Sequence, residues 1–299
     1  MDKKQLICIV GATAVGKTSL AIQLAHYFNT VIISADSRQF YKELNIGTAK
    51  PNALEMDEII HYFIDNQSIT QNYSVGEYEK DALSLLDNLF QKYDTIVAVG
   101  GSGLYVRALC DGLDEFPEID ADIRPQLQKE LEEKGLSYLT NLLKELDFDY
   151  YQEVDLQNTQ RVLRAVEVCI GTKKTYSSFR KGKKKERPFQ IIKIGLTLPR
   201  EILYQKIDAR MDLMIEQGLE KEATDLLPFA AHNALKTVGY QEIFDFLENK
   251  YDWNECVRLL KRNSRRYAKR QITWFGADNE ITWFEPNDLE KIINFIEKK

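Results

Sequence analysis

At 299 residues, with 44% hydrophobic and 29% charged positions and few Gly or Pro, the chain has the composition of a globular protein able to bury a large core as one big domain or two smaller ones. No apolar run reaches the ~18 residues that cross a bilayer, and a charged start running straight into a core strand is no signal peptide, so a cytoplasmic protein with no membrane partner is expected. The net charge of −6 argues against a polyanionic partner only until its distribution is read: residues 173–187 carry +7, residues 258–270 another +7, and the rest of the chain −20.

Residues 5–10, Gln-Leu-Ile-Cys-Ile-Val, read as a buried parallel strand, and Leu20, Ala21, Leu24, Ala25 and Phe28 recur at helical spacing beyond it. Between them stands Gly11-Ala12-Thr13-Ala14-Val15-Gly16-Lys17-Thr18, which fits the G-x-x-x-x-G-K-[ST] phosphate-binding pattern in the required order of strand, loop and helix. Its backbone amides and the helix N-terminus form an anion cradle, with Lys17 reaching the terminal phosphates and the Thr18 hydroxyl available to a magnesium ion. A second strand over 30–35 ends at Asp36-Ser37-Arg38-Gln39. Ligands of open parallel sheets sit at the carboxyl ends of strands, so Asp36 should face the same crevice as the phosphate loop. A turn-rich segment at 47–51 follows, then an amphipathic helix over 77–90 and a third strand over 95–99. That strand runs into Gly100-Gly101-Ser102-Gly103-Leu104-Tyr105, where a nucleotide hydrolase would carry an acid to help hold magnesium. Backbone and a hydroxyl are presented to the ligand instead.

From about residue 112 the character changes. Residues 120–133, 136–146 and 159–170 read as consecutive amphipathic helices with no strand between them, and they end in the first basic run. Core signals resume with a strand over 190–198, followed by helices over 200–217, 219–227, 241–249 and 253–275, the last carrying the second basic run. The expected fold is therefore α/β: a P-loop nucleoside-triphosphatase-like parallel-sheet core over 1–112 and 189–299, with helices in its C-terminal part, interrupted by an inserted helical domain over 113–188. Cys8, Cys110, Cys169 and Cys256 are isolated in sequence, which makes disulfides and a zinc knuckle unexpected. His61, in an apolar run, reads as a hydrogen-bonded structural histidine.

Seven segments, in this order, resemble one family over nearly the whole chain: the phosphate loop, Ser34-Ala35-Asp36-Ser37-Arg38-Gln39, Ile46-Gly47-Thr48-Ala49-Lys50-Pro51, Gly100-Gly101-Ser102-Gly103-Leu104-Tyr105, Gln160-Arg161-Val162-Leu163-Arg164-Ala165-Val166-Glu167-Val168, Lys236-Thr237-Val238-Gly239-Tyr240-Gln241, and Tyr267-Ala268-Lys269-Arg270-Gln271-Ile272-Thr273-Trp274-Phe275. The family is that of the tRNA dimethylallyltransferases, also called tRNA isopentenyltransferases, in the compact bacterial form without a zinc-finger extension.

The resemblance implies transfer of a dimethylallyl group from dimethylallyl diphosphate to the exocyclic amine of adenosine 37 in a tRNA, with magnesium as cofactor and Thr18 as its ligand. It implies that Gly11, Ala12, Thr13, Ala14, Val15, Gly16, Lys17 and Thr18 hold the diphosphate, that Asp36 is the general base, and that Ser102 and Arg210 complete the catalytic set. The anticodon stem-loop would meet Asp36, Ser37, Arg38, Gln39, Ser102, Arg124, Gln160, Arg161, Val162, Leu163, Arg164, Lys236, Thr237, Val238, Gly239, Tyr240 and Gln241, with the basic runs gripping the RNA backbone. A monomer is expected. Ser102 stands where the family usually has threonine, and Ala12 where proline is common. Two other readings stay open on the residues alone: a P-loop small-molecule or nucleoside kinase, disfavoured by the missing acid after residue 99, and a non-catalytic RNA-binding module, disfavoured by the intact Lys17, Thr18 and Asp36.

Overall fold

The computed structural model describes residues 4–299. The elements, in chain order, are β1 (Gln5–Gly11), α1 (Lys17–Tyr27), β2 (Ile32–Ser34), α2 (Ala53–Met56), β3 (His61–Tyr62), α3 (Val75–Leu89), β4 (Thr95–Val99), α4 (Gly103–Asp111), α5 (Ile123–Lys134), α6 (Leu136–Leu146), α7 (Phe148–Glu153), α8 (Thr159–Thr172), β5 (Gln190–Leu196), α9 (Arg200–Glu216), α10 (Leu219–Leu226), α11 (Tyr240–Leu247), α12 (Trp253–Gly276), β6 (Thr282–Phe284) and α13 (Leu289–Glu297). Close packing divides the chain into two units, one of residues 1–111 with 186–299 and one of residues 112–185.

In the first unit six strands form one sheet in the order β3-β2-β4-β1-β5-β6, every neighbouring pair parallel. The sequence of β1 explains its central place. Leu6, Cys8 and Val10 point into one apolar layer with α3 and α4, while Ile7 and Ile9 point into a second with α1, α9 and α13, so both faces are covered and an uninterrupted apolar strand is what the position requires. The register pairs Ile9 with Val99 of β4 and with Ile194 of β5. The residues that follow β1, β2 and β4 therefore emerge at one edge of the sheet. Helix starts are set locally as well: Ser74 and Glu77 make a reciprocal capping box at α3, and the Asp252 carboxylate caps α12. A third apolar cluster, built around Leu44, Leu219, Tyr240 and Leu260, supports α10, α11 and the first half of α12.

The second unit has its own core, in which Leu127, Leu139, Leu143, Val162, Leu163 and Val166 are buried among α5, α6 and α8. Asn158 caps α8 by accepting from the Arg161 amide.

Differences from the sequence reading concern short or pairing-dependent elements. The strands expected over 30–35 and 190–198 are shorter, at Ile32–Ser34 and Gln190–Leu196. β3, β6, α4, α7 and α13 were not expected from the pattern. β3 and β6 have two and three residues, too few for a period, and exist because β2 and β5 offer them an edge.

Candidate active site

The phosphate loop folds as a tight turn between β1 and α1. Gly11 at φ 143°, Ala14 at φ 63° and Gly16 at φ 109° take positive φ, and a Cβ on Gly11 would lie 2.7 Å from the Leu196 carbonyl oxygen of β5. Helix α1 has no side-chain cap at Gly16, so its first amides remain open to an anion. Lys17 curls back over the loop and donates from Nζ to the Ala12 carbonyl at 2.8 Å. The Arg210 guanidinium, from α9, bonds the Thr13 hydroxyl. Gln271, a buried residue of α12, accepts from the Thr13 amide at 2.7 Å and donates to the Gly101 carbonyl at 2.9 Å, which ties the loop to the end of β4.

Across the pocket, Asp36 stands two residues beyond β2. One carboxylate oxygen accepts from the Arg38 amide at 2.9 Å in an Asx turn, and the other has no hydrogen-bond partner among the described residues. Ser102 accepts from the Ser37 amide at 2.9 Å and donates to the Ser37 hydroxyl at 3.1 Å. Thr13, Lys17, Asp36, Arg38, Gly101, Arg210, Thr237, Tyr267 and Gln271 line one cavity, whose far wall is the turn at Gly47 and Thr48. That wall is held from behind: the Glu222 carboxylate accepts from the amides of Asn45, Ile46 and Gly47 at 2.9 to 3.2 Å and from the Tyr240 hydroxyl at 2.6 Å. A Cβ on Gly47 would lie 2.6 Å from the Tyr240 ring.

Electrostatics mark the cavity as an anion site. Burial, with the Arg210 charge beside it, lowers the Lys17 pKa to about 8 against a smaller opposing pull from Asp36. Burial also lowers the Arg210 pKa. Tyr267 is pushed up to about 12 by burial and by the Asp36 charge. Two desolvated cations facing a single carboxylate leave the pocket with surplus positive charge.

The expected RNA-contacting residues divide. Ser37 and Arg38 lie beside Asp36, Thr237 and Val238 line the cavity, and Lys236 and Gln241 are exposed. Gln39 instead turns inward, donating to the Thr48 and Ala49 carbonyls at 3.3 and 3.2 Å. Gly239 is buried at φ 104°, where it starts α11, and the Tyr240 side chain is wholly buried. In the second unit Gln160 and Arg161 are exposed, but Val162 and Leu163 are core residues. An RNA contact by the side chains of Tyr240, Val162 or Leu163 is thus corrected: apolar burial against their own helices is what fixes them. Arg124 and Arg164 both bond the buried Glu167 carboxylate, at 2.9 and 3.0 Å, and keep about two-fifths of their surface exposed. Thr18 is exposed at the mouth of the loop.

The basic runs need correction too. Arg187 is buried, bonded to Glu79 and to the Ala108 and Leu109 carbonyls. On α12, Arg258 pairs with Glu255, Lys261 with Asp212 and Arg265 with Asp208. Arg187 is thus neutralised in the interior, and the three cations of α12 are paired at the surface. Gln271 and Tyr267, by contrast, belong to the pocket although the sequence reading gave them no role; the signal available was an uncharged pair at helical spacing at the end of a basic run.

A parallel sheet with a P-loop at its edge, an inserted helical unit, and a pocket that opposes half-buried cations to a carboxylate without an acid at the end of β4 define a P-loop nucleoside-triphosphatase-like fold adapted to group transfer. The family model described as IPP transferase matches residues 39–278. A tRNA dimethylallyltransferase of Cytophaga hutchinsonii is 52% identical over 99% of this chain and 97% of its own, and one of Christiangramia forsetii is 50% identical over 98% of each. The crystal structure of the full-length tRNA isopentenylpyrophosphate transferase from Bacillus halodurans is 34% identical, covers 99% of this chain and 96% of its own, and superposes with a TM-score of 0.74. The chain belongs to the IPP transferase family.

Proposed function

We propose that this chain is a tRNA dimethylallyltransferase, moving the dimethylallyl group from dimethylallyl diphosphate to the exocyclic amine of adenosine 37 beside a tRNA anticodon. The observation that carries the reading is the opposition of Lys17 and Arg210, both half-buried, to Asp36 in one cavity with no acid after β4. A diphosphate fits the cationic end as a leaving group. The amine nitrogen attacks the allylic carbon, the bond from that carbon to the diphosphate oxygen breaks, and Asp36 takes the amine proton. An adenine amine is a weak nucleophile, so proton removal concerted with attack is what a positioned carboxylate contributes. Charge develops on the departing diphosphate, where Lys17, Arg210, Thr13 and the loop amides stabilise it. Ser102, fixed by Ser37, offers its hydroxyl to the incoming base.

The loop also suits magnesium. Thr18 is exposed at the start of α1, and no group of three His, Cys, Asp or Glu able to hold an ion occurs among the described residues, so the ion would take Thr18 plus oxygens of the diphosphate and water. It would add positive charge on the leaving group. A tRNA substrate suits the cytoplasm. No helix among the described residues is long and apolar enough to cross a membrane.

The test is transfer of labelled dimethylallyl diphosphate to unmodified tRNA with adenosine at position 37, with magnesium and without ATP, for the wild type and Asp36→Ala. Label on the RNA, lost in the variant while diphosphate still binds, is the expected result. ATP turnover on a small acceptor, with no labelled RNA, would overturn it in favour of a kinase.

A further inference from the structure

A second concavity adjoins the reaction cavity. It shares Gly101, Tyr267 and Gln271 with that cavity, and its own lining includes Ser37, Ser102, Leu104, Arg270 and Trp274. Trp274 and Leu104, large and apolar, are 40% and 44% exposed, and Arg270, one helical turn before Trp274 on α12, is exposed with its guanidinium 5.6 Å from the Tyr267 ring and no carboxylate partner among the described residues. The Trp274 ring is held rather than loose: its edge packs so closely on Gly103 that a Cβ there would lie 2.3 Å from the indole Cδ1 and Nε1. A fixed, half-open indole beside an exposed cation presents a π-face and a positive charge to the same small volume. That is the chemistry of a single-stranded nucleotide: a base to stack and a phosphate to neutralise.

We infer that this concavity is a stacking subsite for the nucleotide adjoining the target adenosine, with Trp274 as the platform and Arg270 as the phosphate contact. The inference rests on the reaction proposed above. It commits to RNA because the site is continuous with the cavity that holds Asp36 and because its charge complements a phosphate. A base bound here would keep its neighbour out of the anticodon-loop stack and aimed at Asp36, so the subsite contributes to base extrusion. Stacking accepts any base face, so the subsite adds affinity without choosing sequence.

The experiment uses an anticodon stem-loop RNA carrying 2-aminopurine on one or the other side of the target adenosine, with the wild type, Trp274→Ala and Trp274→Phe. Binding to the wild type should quench the probe on one side. In Trp274→Ala the quench should vanish, and KM for the RNA should rise about tenfold or more while KM for dimethylallyl diphosphate holds; Trp274→Phe should recover most of both. Unchanged quenching and RNA KM in Trp274→Ala, with the variant folded by circular dichroism, would overturn the inference. So would a rise confined to the KM of the diphosphate, which would make the concavity a pocket for the prenyl chain. Quenching without any transfer by the wild type would overturn the reaction and leave the stacking site standing.

Discussion

The two ends of the reaction cavity are finished to different degrees. At the Asp36 end the polar groups are already joined: Ser102 holds the Ser37 amide and hydroxyl, Asp36 holds the Arg38 amide, and Glu222 braces the turn at Gly47 from outside. At the phosphate end burial lowers the pKa of both cations, and the Arg210 charge lowers that of Lys17 further, so this end lacks the anion that would hold both in their charged forms. One end is arranged by geometry and the other waits on charge. On the proposed reaction, a donor bearing a diphosphate would be captured by field strength, and an acceptor base by fit.

Removing the carboxylate should break the comparison most severely. Asp36→Asn keeps the shape and should lower kcat by about a thousandfold, with KM for dimethylallyl diphosphate little changed, in steady-state transfer assays. At the other end, Arg210→Met should reduce kcat/KM for the diphosphate by about a hundredfold or more and weaken inhibition by free diphosphate in parallel. The waiting charge also has a pH signature. Lys17 is protonated below its pKa of about 8 and loses its charge above it, so kcat/KM for the diphosphate should fall about tenfold per unit above pH 8, and Lys17→Arg should flatten that limb. The smallest expected effect is at the preformed end: Ser102→Ala should raise KM for RNA about fivefold through loss of the hydroxyl that holds Ser37 and meets the base, and Ser102→Thr should be neutral.

The phosphate loop was legible because its chemistry is contiguous: eight consecutive residues carry pattern, turn glycines and lysine together. Asp36 was legible from its place at a strand end. Gln271 was not, because it reaches Thr13 and Gly101 across 258 and 170 residues of chain. The RNA-contacting segments were read as whole blocks, whereas a helix turns its residues by 3.6 per turn, and this is why Arg161 lies outside while Val162 and Leu163 lie in the core. The same geometry splits the basic run of α12. Lys261 and Arg265, four apart, face Asp212 and Asp208 of α9, and a count of charges along the sequence has no access to that partner.

The strand order has a consequence for how the chain is made. β1 lies between β4 and β5, and its residues pair with residues 95–99 early in synthesis but with residues 190–196 only after the whole helical unit has been added. At ~5–20 residues per second, the β5-facing edge of a mostly apolar strand would stay open for roughly 5 to 20 seconds on the ribosome. The nascent protein is thus most adhesive midway through its own translation, and a chaperone that covers strand edges would act in that interval.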